Sequence, residues 1–288
     1  MTVHTTSRIL EFRGGSTELM EGLCVHPHDP PKMREVMAPY METRRKWLHR
    51  MAERGLWVAV AHGAQDEKQG LVECVPIEWA AEPVRGEGSL FVNCLWVLPR
   101  YWKSGVARAL MERVLSRTTC GGITVLGYEG DRWFGYFRYM PTRFFKHFGF
   151  REVDRDGSRV LLHLDLGGAH TPSLITPSLI TPRVRNVLGA EGRHVVELLY
   201  SSQCPWSGWM IDGVARNLRK SDVDLRLINT DERSVLEEYG LTRGVCVDGQ
   251  PLIKRMASGN EVVRTLKRFL SQERSPMPPG QGSPDHGS

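Results

Sequence analysis

One glycine lies where a predicted strand gives way to a predicted helix, at a place suited to binding an anion. The apolar run Ser89–Leu98 ends at Pro99, and Gly105 precedes the helical spacing that starts at residue 106. The first amides of a helix have no acceptor within it, and the helix dipole is positive there. Glycine lets a diphosphate approach the backbone, and Ser104 is placed to cap the helix. The segment therefore suits an anionic cofactor, although a tight turn would explain the same residues.

A single thiol lies at a second junction of this kind, in the rear part of the chain. Cys204 follows the apolar run His194–Tyr200 and precedes a helical pattern. A cysteine at a helix N-terminus has a lowered pKa and more thiolate. Ser207 occupies the place of a second thiol, so the motif allows only monothiol chemistry, such as a mixed disulfide or the binding of a metal or electrophile. A buried structural cysteine is the competing interpretation.

The remaining composition excludes several classes of function. The six cysteines are spaced too irregularly for a zinc or disulfide framework, which predicts no metal and a cytoplasmic protein with reduced thiols. The net charge is +5, and no Lys/Arg-rich run stands out, so we expect no nucleic-acid partner. No apolar run approaches the roughly 18 residues of a spanning helix, and we expect no membrane partner.

The length predicts two domains, since 288 residues exceed a typical domain of about 100–200. Residues 167–190 contain the unit TPSLI twice in tandem, and prolines at this spacing predict an extended linker. Residues 273–288 are rich in Pro, Gly and Ser, as in disordered tails. These boundaries leave a front module of residues 1–166 and a rear module of residues 191–272.

The front module has the pattern of an α/β protein with a mixed (α+β) sheet. A helix is predicted over residues 33–54, with its Arg and Lys side chains on the exposed face. A hairpin is predicted from strands 56–62 and 70–79, and the continuous apolar run 89–98 predicts a central strand. After these come a helix at 104–117, a strand at 123–129, a helix at 140–148 ended by Gly149, and strands at 150–154 and 158–166.

The segment Trp102–Ala107 resembles the coenzyme-A signature of the GNAT superfamily of acyl-CoA N-acyltransferases, Arg/Gln-x-x-Gly-x-Gly/Ala after a central strand. Trp102 stands where Arg or Gln is usual. Further along, residues 144–154 resemble the second motif of the superfamily, a helix that ends in Gly-Phe. The resemblance covers roughly residues 8–166. It implies a splayed, mixed sheet and an acetyl-CoA-dependent N-acetyltransferase.

The same resemblance implies where acetyl-CoA, the co-substrate, would bind. Its pantetheine arm would pair, as a strand does, with the backbone of Leu95, Trp96 and Val97. The pyrophosphate would be held by the amides of Lys103, Ser104, Gly105, Val106 and Ala107. Arg108 would meet an adenosine phosphate, or would simply lie on a solvated helix face.

Direct acetyl transfer needs a base for the attacking amine, a donor for the oxyanion and an acid for the departing thiolate. Members of the superfamily often use a carboxylate on the central strands as the base. The strand at 89–98 has no carboxylate, so Glu73 and Glu78 on the preceding strand are the nearest candidates, of which we favour Glu73. Surface charge is the competing interpretation for both.

The usual acid of the superfamily is a tyrosine in the second motif, and this chain has Phe145 at that place. Tyr139, Tyr136 and Tyr128 are the nearest substitutes, and we take Tyr139 as the candidate. Asn93 and Cys94 are candidates for lining the pocket, or are buried strand residues. Enzymes of this kind work largely by proximity, so a missing acid does not exclude activity.

The rear module has the order β-α-β-α-β-β-α, over strands 194–200, 222–230 and the hairpin 244–253, with helices from 205, 231 and 259. With Cys204, Pro205 and Ser207 at its first helix, it resembles the thioredoxin-like fold. The loop that is normally Thr-Val-Pro is here Thr242–Val245 and lacks the proline. A GNAT module joined to such a module is similar to the YoaP-like acetyltransferases of bacteria.

Three functions are therefore open. The first is an acetyltransferase that acts on a small-molecule or protein amine, with the rear domain as an accessory and Cys204 as a further candidate catalytic residue. The second is a monothiol redox or soft-metal-binding protein acting through Cys204. The third is a non-catalytic acyl-CoA-binding regulator, which the missing tyrosine suggests. The acceptor and the oligomeric state are left open by the sequence.

Overall fold

The computed structural model describes residues 8–13, 22–25, 29–130, 132–133, 137–168, 170–176, 193–219 and 221–273. Candidate Tyr136, most of the predicted linker and the predicted tail lie outside the described residues. Within the described ranges, no helix is both long enough and apolar enough to cross a membrane.

The front part is built on a mixed seven-stranded sheet in the order β1-β2-β3-β5-β6-β8-β7. Its strands and a short two-stranded ribbon are β1 (Arg8–Arg13), β2 (Trp57–His62), β3 (Lys68–Pro76), β4 (Val84–Arg85), β5 (Ser89–Val97), β6 (Gly122–Tyr128), β7 (Arg151–Asp156), β8 (Arg159–Asp165) and β9 (Ser173–Leu174). The predicted hairpin and the central position of β5 are confirmed. Edge strand β1 was not predicted.

The centre of this sheet opens along its length. β5 and β6 are parallel and pair from Ser89 opposite Gly122 to Val92 opposite Val125. Both strands then continue, β5 to Val97 and β6 beyond Val125, without further pairing to each other. The splayed, mixed sheet predicted from the sequence is therefore confirmed.

A β-bulge lies at the point of separation. Against β3, Glu73 is opposite Cys94 and Cys74 is opposite Val92, so Asn93 is the extra residue of β5. A bulge bends its strand and re-aims a side chain. The bulge therefore accounts for the separation of β5 from β6 directly after Val92.

Three helices belong to the front part: α1 (Pro31–Ala52), α2 (Val106–Arg117) and α3 (Thr142–Lys146). Helix α2 packs on β2, β3 and β5 with a buried face of helical spacing, formed by Val106, Leu110, Met111 and Val114. The prediction for α1 is wrong at one residue. Arg44 is only 3% exposed, because it faces the sheet and is paired there with a carboxylate.

The rear part is a four-stranded sheet in the order β11-β10-β12-β13, with helices in the predicted sequence. Its elements are β10 (His194–Tyr200), α4 (Pro205–Leu218), β11 (Val223–Asn229), α5 (Arg233–Tyr239), β12 (Gly244–Val247), β13 (Gln250–Ile253) and α6 (Gly259–Glu273). β10 pairs in parallel with β11 and antiparallel with β12.

The two parts share one hydrophobic core, and α1 packs against α4. Polar contacts fix this junction at several separate places. The indole N–H of Trp206 donates to the Cys24 carbonyl at 2.9 Å, and Lys254 Nζ lies 2.8 Å from Asp156 Oδ1. The rear part is therefore held against the front part by the shared core and by separate polar contacts.

The first copy of the TPSLI unit is part of this fold. Its Leu174 and Ile175 are buried, and strand β9 pairs with β4. The Ile175 amide donates to the Pro83 carbonyl at 2.7 Å. The proline spacing alone favoured a spacer, because it carries no information about the surface on which Leu174 and Ile175 dock. Residues 177–192 lie outside the described ranges.

Candidate active site

Gly105 turns the chain into α2 with a backbone conformation that favours glycine. Its φ is 92° and ψ is −8°, and it is the N-cap residue of the helix. A Cβ atom built on Gly105 would meet nothing within 4 Å. The space beside this turn is therefore open, as an approaching diphosphate requires.

The amides that follow Gly105 point out of the start of the helix. The first bond of the helical ladder runs from Ala109 N to Gly105 O at 3.0 Å. The amides of Val106, Ala107 and Arg108 therefore have no acceptor within the helix. This arrangement has the donors and the positive end of a helix dipole that an anion needs.

Ser104 has a different role from the predicted cap. Its hydroxyl donates to the Tyr101 carbonyl at 2.6 Å, and its amide donates to the same oxygen at 3.3 Å. The side chain makes no capping bond to α2. The capping prediction is wrong because Ser104 lies one residue before the N-cap position, within the preceding turn.

The open edge of β5 leads to this turn. On one side, β3 pairs with Leu95, Trp96 and Val97. On the other side these residues have no pairing with β6, which ends its pairing at Val92. The indole N–H of Trp102 donates to the Val97 carbonyl at 2.8 Å. Arg108 lies on the exposed face of α2, where its guanidinium is 3.7 Å from Glu112 and above the Phe148 ring.

Glu73 is the buried carboxylate beside the separated strands. It is fully buried and accepts from Arg44 Nη2 at 2.7 Å and from Gln203 Nε2 at 2.9 Å. Arg44 also donates to the backbone carbonyl of Gln203. Burial alone would lower the pKa of Arg44, but the Glu73 charge raises it, so the guanidinium stays charged. Both carboxylate oxygens are thus occupied by groups from α1 and from the rear part.

Tyr139 lies on the same side of the sheet. Its hydroxyl is hydrogen-bonded to the Cys94 thiol, and its ring stacks on Trp133 with centroids 4.0 Å apart. Burial raises the pKa of Tyr139 well above its ordinary value. At neutral pH the side chain is therefore protonated.

Cys204 lies at the N-cap position of α4, next to Gln203. Its side chain is partly exposed and lines a cavity of about 190 Å³ between α1 and α4, together with Tyr40 and Asp212. Ser207 is fully buried, and its hydroxyl accepts the Ser201 amide at 3.1 Å. Ser207 therefore holds the loop in front of Cys204.

Two further thiols lie close to Cys204 and Tyr139, namely Cys24 and Cys94. Burial raises the pKa of the Cys24 thiol to about 11 and raises that of Cys94 as well. All cysteines are free, and no group of three or more metal-ligating side chains occurs within the described ranges. Both Cys24 and Cys94 are therefore protonated at neutral pH.

Sequence reasoning missed three contributors to this cluster: Arg44, Gln203 and Arg243. Arg243 is only 3% exposed, and its Nη1 lies 2.9 Å from Glu82 of the front part. Its guanidinium carbon is 5.3 Å from the centre of the Trp133 ring. The one local signal was a basic residue in the loop Thr242–Val245, where a proline was expected.

The structure thus brings three predicted catalytic residues, Glu73, Tyr139 and Cys204, to one junction between the two parts. Glu78 is excluded from this junction, since it is exposed and accepts the Gly88 amide at 3.3 Å. Tyr128 packs edge-on against Trp133, with centroids 5.3 Å apart.

The front part of the chain is similar to a known protein family. Residues 21–129 match the family model described as Acetyltransferase (GNAT) family. The uncharacterized N-acetyltransferase YoaP of Bacillus subtilis (strain 168) is 23% identical over 229 residues, which cover 77% of this chain and 86% of YoaP.

Solved structures similar to this chain include two with bound ligands. The GNAT family N-acetyltransferase YhbS of Escherichia coli, in complex with CoA, is 17% identical, with 57% of this chain and 83% of YhbS covered and a TM-score of 0.37. A GNAT family acetyltransferase of Brucella melitensis, in complex with acetyl-CoA, is 16% identical, with 57% and 91% covered and a TM-score of 0.32.

Proposed function

We propose that this chain, whose residues 21–129 match the GNAT acetyltransferase family model, transfers the acetyl group of acetyl-CoA to an amine by direct attack. One observation carries the proposal. β5 and β6 separate after Val92, and the gap leads to the open amides at the start of α2. The open edge of β5 would hydrogen-bond an extended pantetheine arm, and the amides at the start of α2 would bind a diphosphate.

The proposed positions of acetyl-CoA follow this path. The pantetheine arm lies beside the open edge of Leu95–Val97. The pyrophosphate accepts hydrogen bonds from the amides of Lys103, Gly105, Val106 and Ala107. The Ser104 amide contributes less, because it already donates to the Tyr101 carbonyl at 3.3 Å. Arg108 lies near enough to this turn to reach a phosphate from the helix face.

The proposed chemistry uses groups at the junction. The amine attacks the thioester carbon, the C–S bond breaks, and Tyr139 supplies a proton to the departing thiolate. Glu73 is the proposed base, at the oxygen that accepts the Gln203 amide. An amine that displaces this neutral amide donates its proton there, while Arg44 keeps its ion pair with the other oxygen.

We further propose that the rear part is a thioredoxin-like accessory domain that closes the acceptor side. Its β-α-β-α-β-β-α order, and Cys204 at the start of α4, support this assignment. The 229-residue alignment with YoaP is longer than the front module of residues 1–166, so the similarity extends into the rear part. The cytoplasmic location predicted from the cysteine pattern stays a prediction.

A second function is supported by one observation, the partial exposure of Cys204 to the cavity between α1 and α4. A thiol in such a position is able to form a mixed disulfide with a small disulfide, releasing the partner thiolate. This activity would be independent of acetyl-CoA. If Cys204 has this activity, its thiol should react faster at neutral pH than a free cysteine.

Calorimetric titration with acetyl-CoA, followed by turnover on a panel of amines, tests the first proposal. We expect micromolar binding and release of CoA that depends on the amine. Binding without turnover on any small-molecule or peptide amine would instead identify an acyl-CoA-binding regulator. Absence of binding at millimolar acetyl-CoA would contradict both the acetyltransferase and the acyl-CoA-binding regulator.

A further inference from the structure

Three buried side-chain donors at the junction of the two parts have no hydrogen-bond partner among the described residues. They are Arg243 Nε, Trp133 Nε1 and Asn93 Nδ2. The three residues are 3%, 2% and 4% exposed, so solvent at the molecular surface does not satisfy these groups. A buried donor without a partner is costly, so each such group needs an explanation.

Contacts with shared neighbours place these three residues close together. Asn93 Oδ1 accepts the Ala81 amide at 3.0 Å, and the next residue, Glu82, pairs with Arg243 at 2.9 Å. The Arg243 guanidinium in turn lies 5.3 Å from the Trp133 ring. Asn93 and Arg243 therefore flank the same dipeptide, and Trp133 lies against Arg243.

These residues lie beside the proposed catalytic groups. The Trp133 ring stacks on Tyr139, and the hydroxyl of Tyr139 reaches Cys94, the residue after Asn93. Asn93 itself is the bulged residue at which β5 leaves β6. A molecule held by the three donors would therefore lie at the mouth of the gap proposed for the thioester.

The chemistry of the unpaired groups selects the ligand. All three are N–H donors, so the missing partner must supply acceptors. One donor belongs to a guanidinium, and Cys204, the N-cap residue at the positive end of α4, is close enough to Arg243 to affect its pKa. Hydrogen bonds from such groups are strongest to an anionic oxygen. Arg243 and Arg44 each already have a carboxylate, so the ligand adds one negative charge to a cluster that is otherwise neutral.

We propose that the acceptor is an amine that also carries a carboxylate, as an amino acid does, and that Arg243, Trp133 and Asn93 bind that carboxylate. This inference rests on the proposed acetyltransferase function. The acid group fixes the molecule at the junction, and its amine reaches the thioester from the side of Tyr139 and Glu73. The rear part then contributes directly to acceptor specificity through Arg243.

Matched acceptor pairs test the proposal in the full chain. Phenylalanine is compared with 2-phenylethylamine, and leucine with 3-methylbutylamine, at fixed acetyl-CoA. Each pair differs by one carboxylate. We expect the amino acids to have kcat/KM values at least about tenfold higher, as expected for loss of hydrogen bonds to a charged group.

Two variants locate the effect. Trp133→Phe retains an aromatic ring against Tyr139 and removes the N–H, so we expect kcat/KM for the acids to fall about tenfold, and by less for the plain amines. Asn93→Asp still accepts the Ala81 amide but places a negative charge at the site, so the acids lose more. Trp79→Phe, at an exposed tryptophan, is the matched control without effect.

Equal rates within each pair, or equal losses for acids and amines in Trp133→Phe, would overturn the proposal and leave the acetyltransferase function intact. If acetyl-CoA fails to bind, the proposed function fails instead. If the protein binds CoA but shows no turnover, the carboxylate subsite is tested by measuring thermal unfolding with and without phenylalanine. Stabilisation by phenylalanine that 2-phenylethylamine does not give, and that Trp133→Phe loses, supports the subsite, and its absence overturns it.

Discussion

The side-chain amide of Gln203, one residue before Cys204, donates to the Glu73 carboxylate at 2.9 Å although the two residues belong to different parts of the chain. Arg44 completes the arrangement by bonding both Glu73 and the Gln203 backbone. A buried carboxylate of the central sheet therefore holds the loop that carries the thiol. The position of Cys204 depends on an ion pair in the front part.

Breaking this ion pair should destabilise the whole protein. Arg44→Met and Glu73→Gln each leave a buried charge without its partner, and we expect each to lower the free energy of unfolding by roughly 3–5 kcal/mol. The double variant leaves no unpaired charge and should lose much less than the sum. Urea denaturation measures all three. Arg45→Met, in an exposed pair with Glu42, is the control, with a loss of at most about 1 kcal/mol.

Substitution of Gly105 should separate backbone strain from anion binding. Gly105→Glu and Gly105→Ala carry the same strain from the positive φ, and a Cβ fits in both because nothing lies within 4 Å. Only glutamate brings a negative charge to the proposed diphosphate site. By calorimetry, we expect Glu to weaken acetyl-CoA binding about a hundredfold or more and Ala by less than about tenfold. Equal losses would show that the strain, not the charge, is responsible.

The stability of the protein should fall in alkaline solution, partly through Cys24. Burial raises the pKa of this thiol to about 11, so the unfolded chain releases its proton first. The contribution to stability is complete below about pH 8.5 and is lost as the pH rises through 11. Between these limits the wild type should lose on the order of 2–3 kcal/mol more than Cys24→Ala. Denaturation curves at pH 8 and pH 11 measure the difference, and parallel losses would contradict it.

Gly244 should tolerate no side chain. Its φ is 145°, and a Cβ would lie 2.0 Å from the Ile253 carbonyl oxygen on the paired strand. Gly244→Ala should therefore lower the free energy of unfolding by roughly 3 kcal/mol or more. Gly213→Ala is the control in the same part of the chain, because its nearest contact would be 3.8 Å and alanine favours the helix. Similar stabilities for the two variants would contradict the clash.

Cys204→Ser should separate the two proposed functions. If the rear part is an accessory domain, kcat for acetyl transfer should change less than about threefold, since Tyr139 and Glu73 supply the proton transfers. Alkylation of the wild-type thiol by iodoacetamide, followed against pH, gives its pKa independently. A midpoint near the free value of about 8.5 would count against monothiol chemistry.

The local part of the site was predictable from the sequence. Three features lie close together along the chain: the proline after β5, Gly105 and the helical spacing of α2. Because they are neighbours in sequence, their order is enough to predict the strand, turn and helix that they form. The superfamily resemblance implied a splayed sheet. The position of the separation at Asn93 was not predictable, because the bulge there depends on pairing with β3.

The contacts between the two parts were not predictable in this way. Arg44 lies in a helix among exposed basic residues such as Arg34 and Lys46, and nothing near it in sequence marks it as buried. Its partner Glu73 is 29 residues away, and Gln203 is a further 130. Arg243 likewise gains its role from Glu82, which belongs to another part of the chain. Such pairs are selected by tertiary packing.

A crystal structure of the full chain soaked in CoA tests the central claim most directly. We predict a diphosphate within hydrogen-bonding distance of the amides of Gly105, Val106 and Ala107, and a pantetheine arm beside Leu95–Val97 in the gap between β5 and β6. A turn at Gly105 without ligand in saturating CoA, or CoA bound elsewhere on the molecule, would contradict the account.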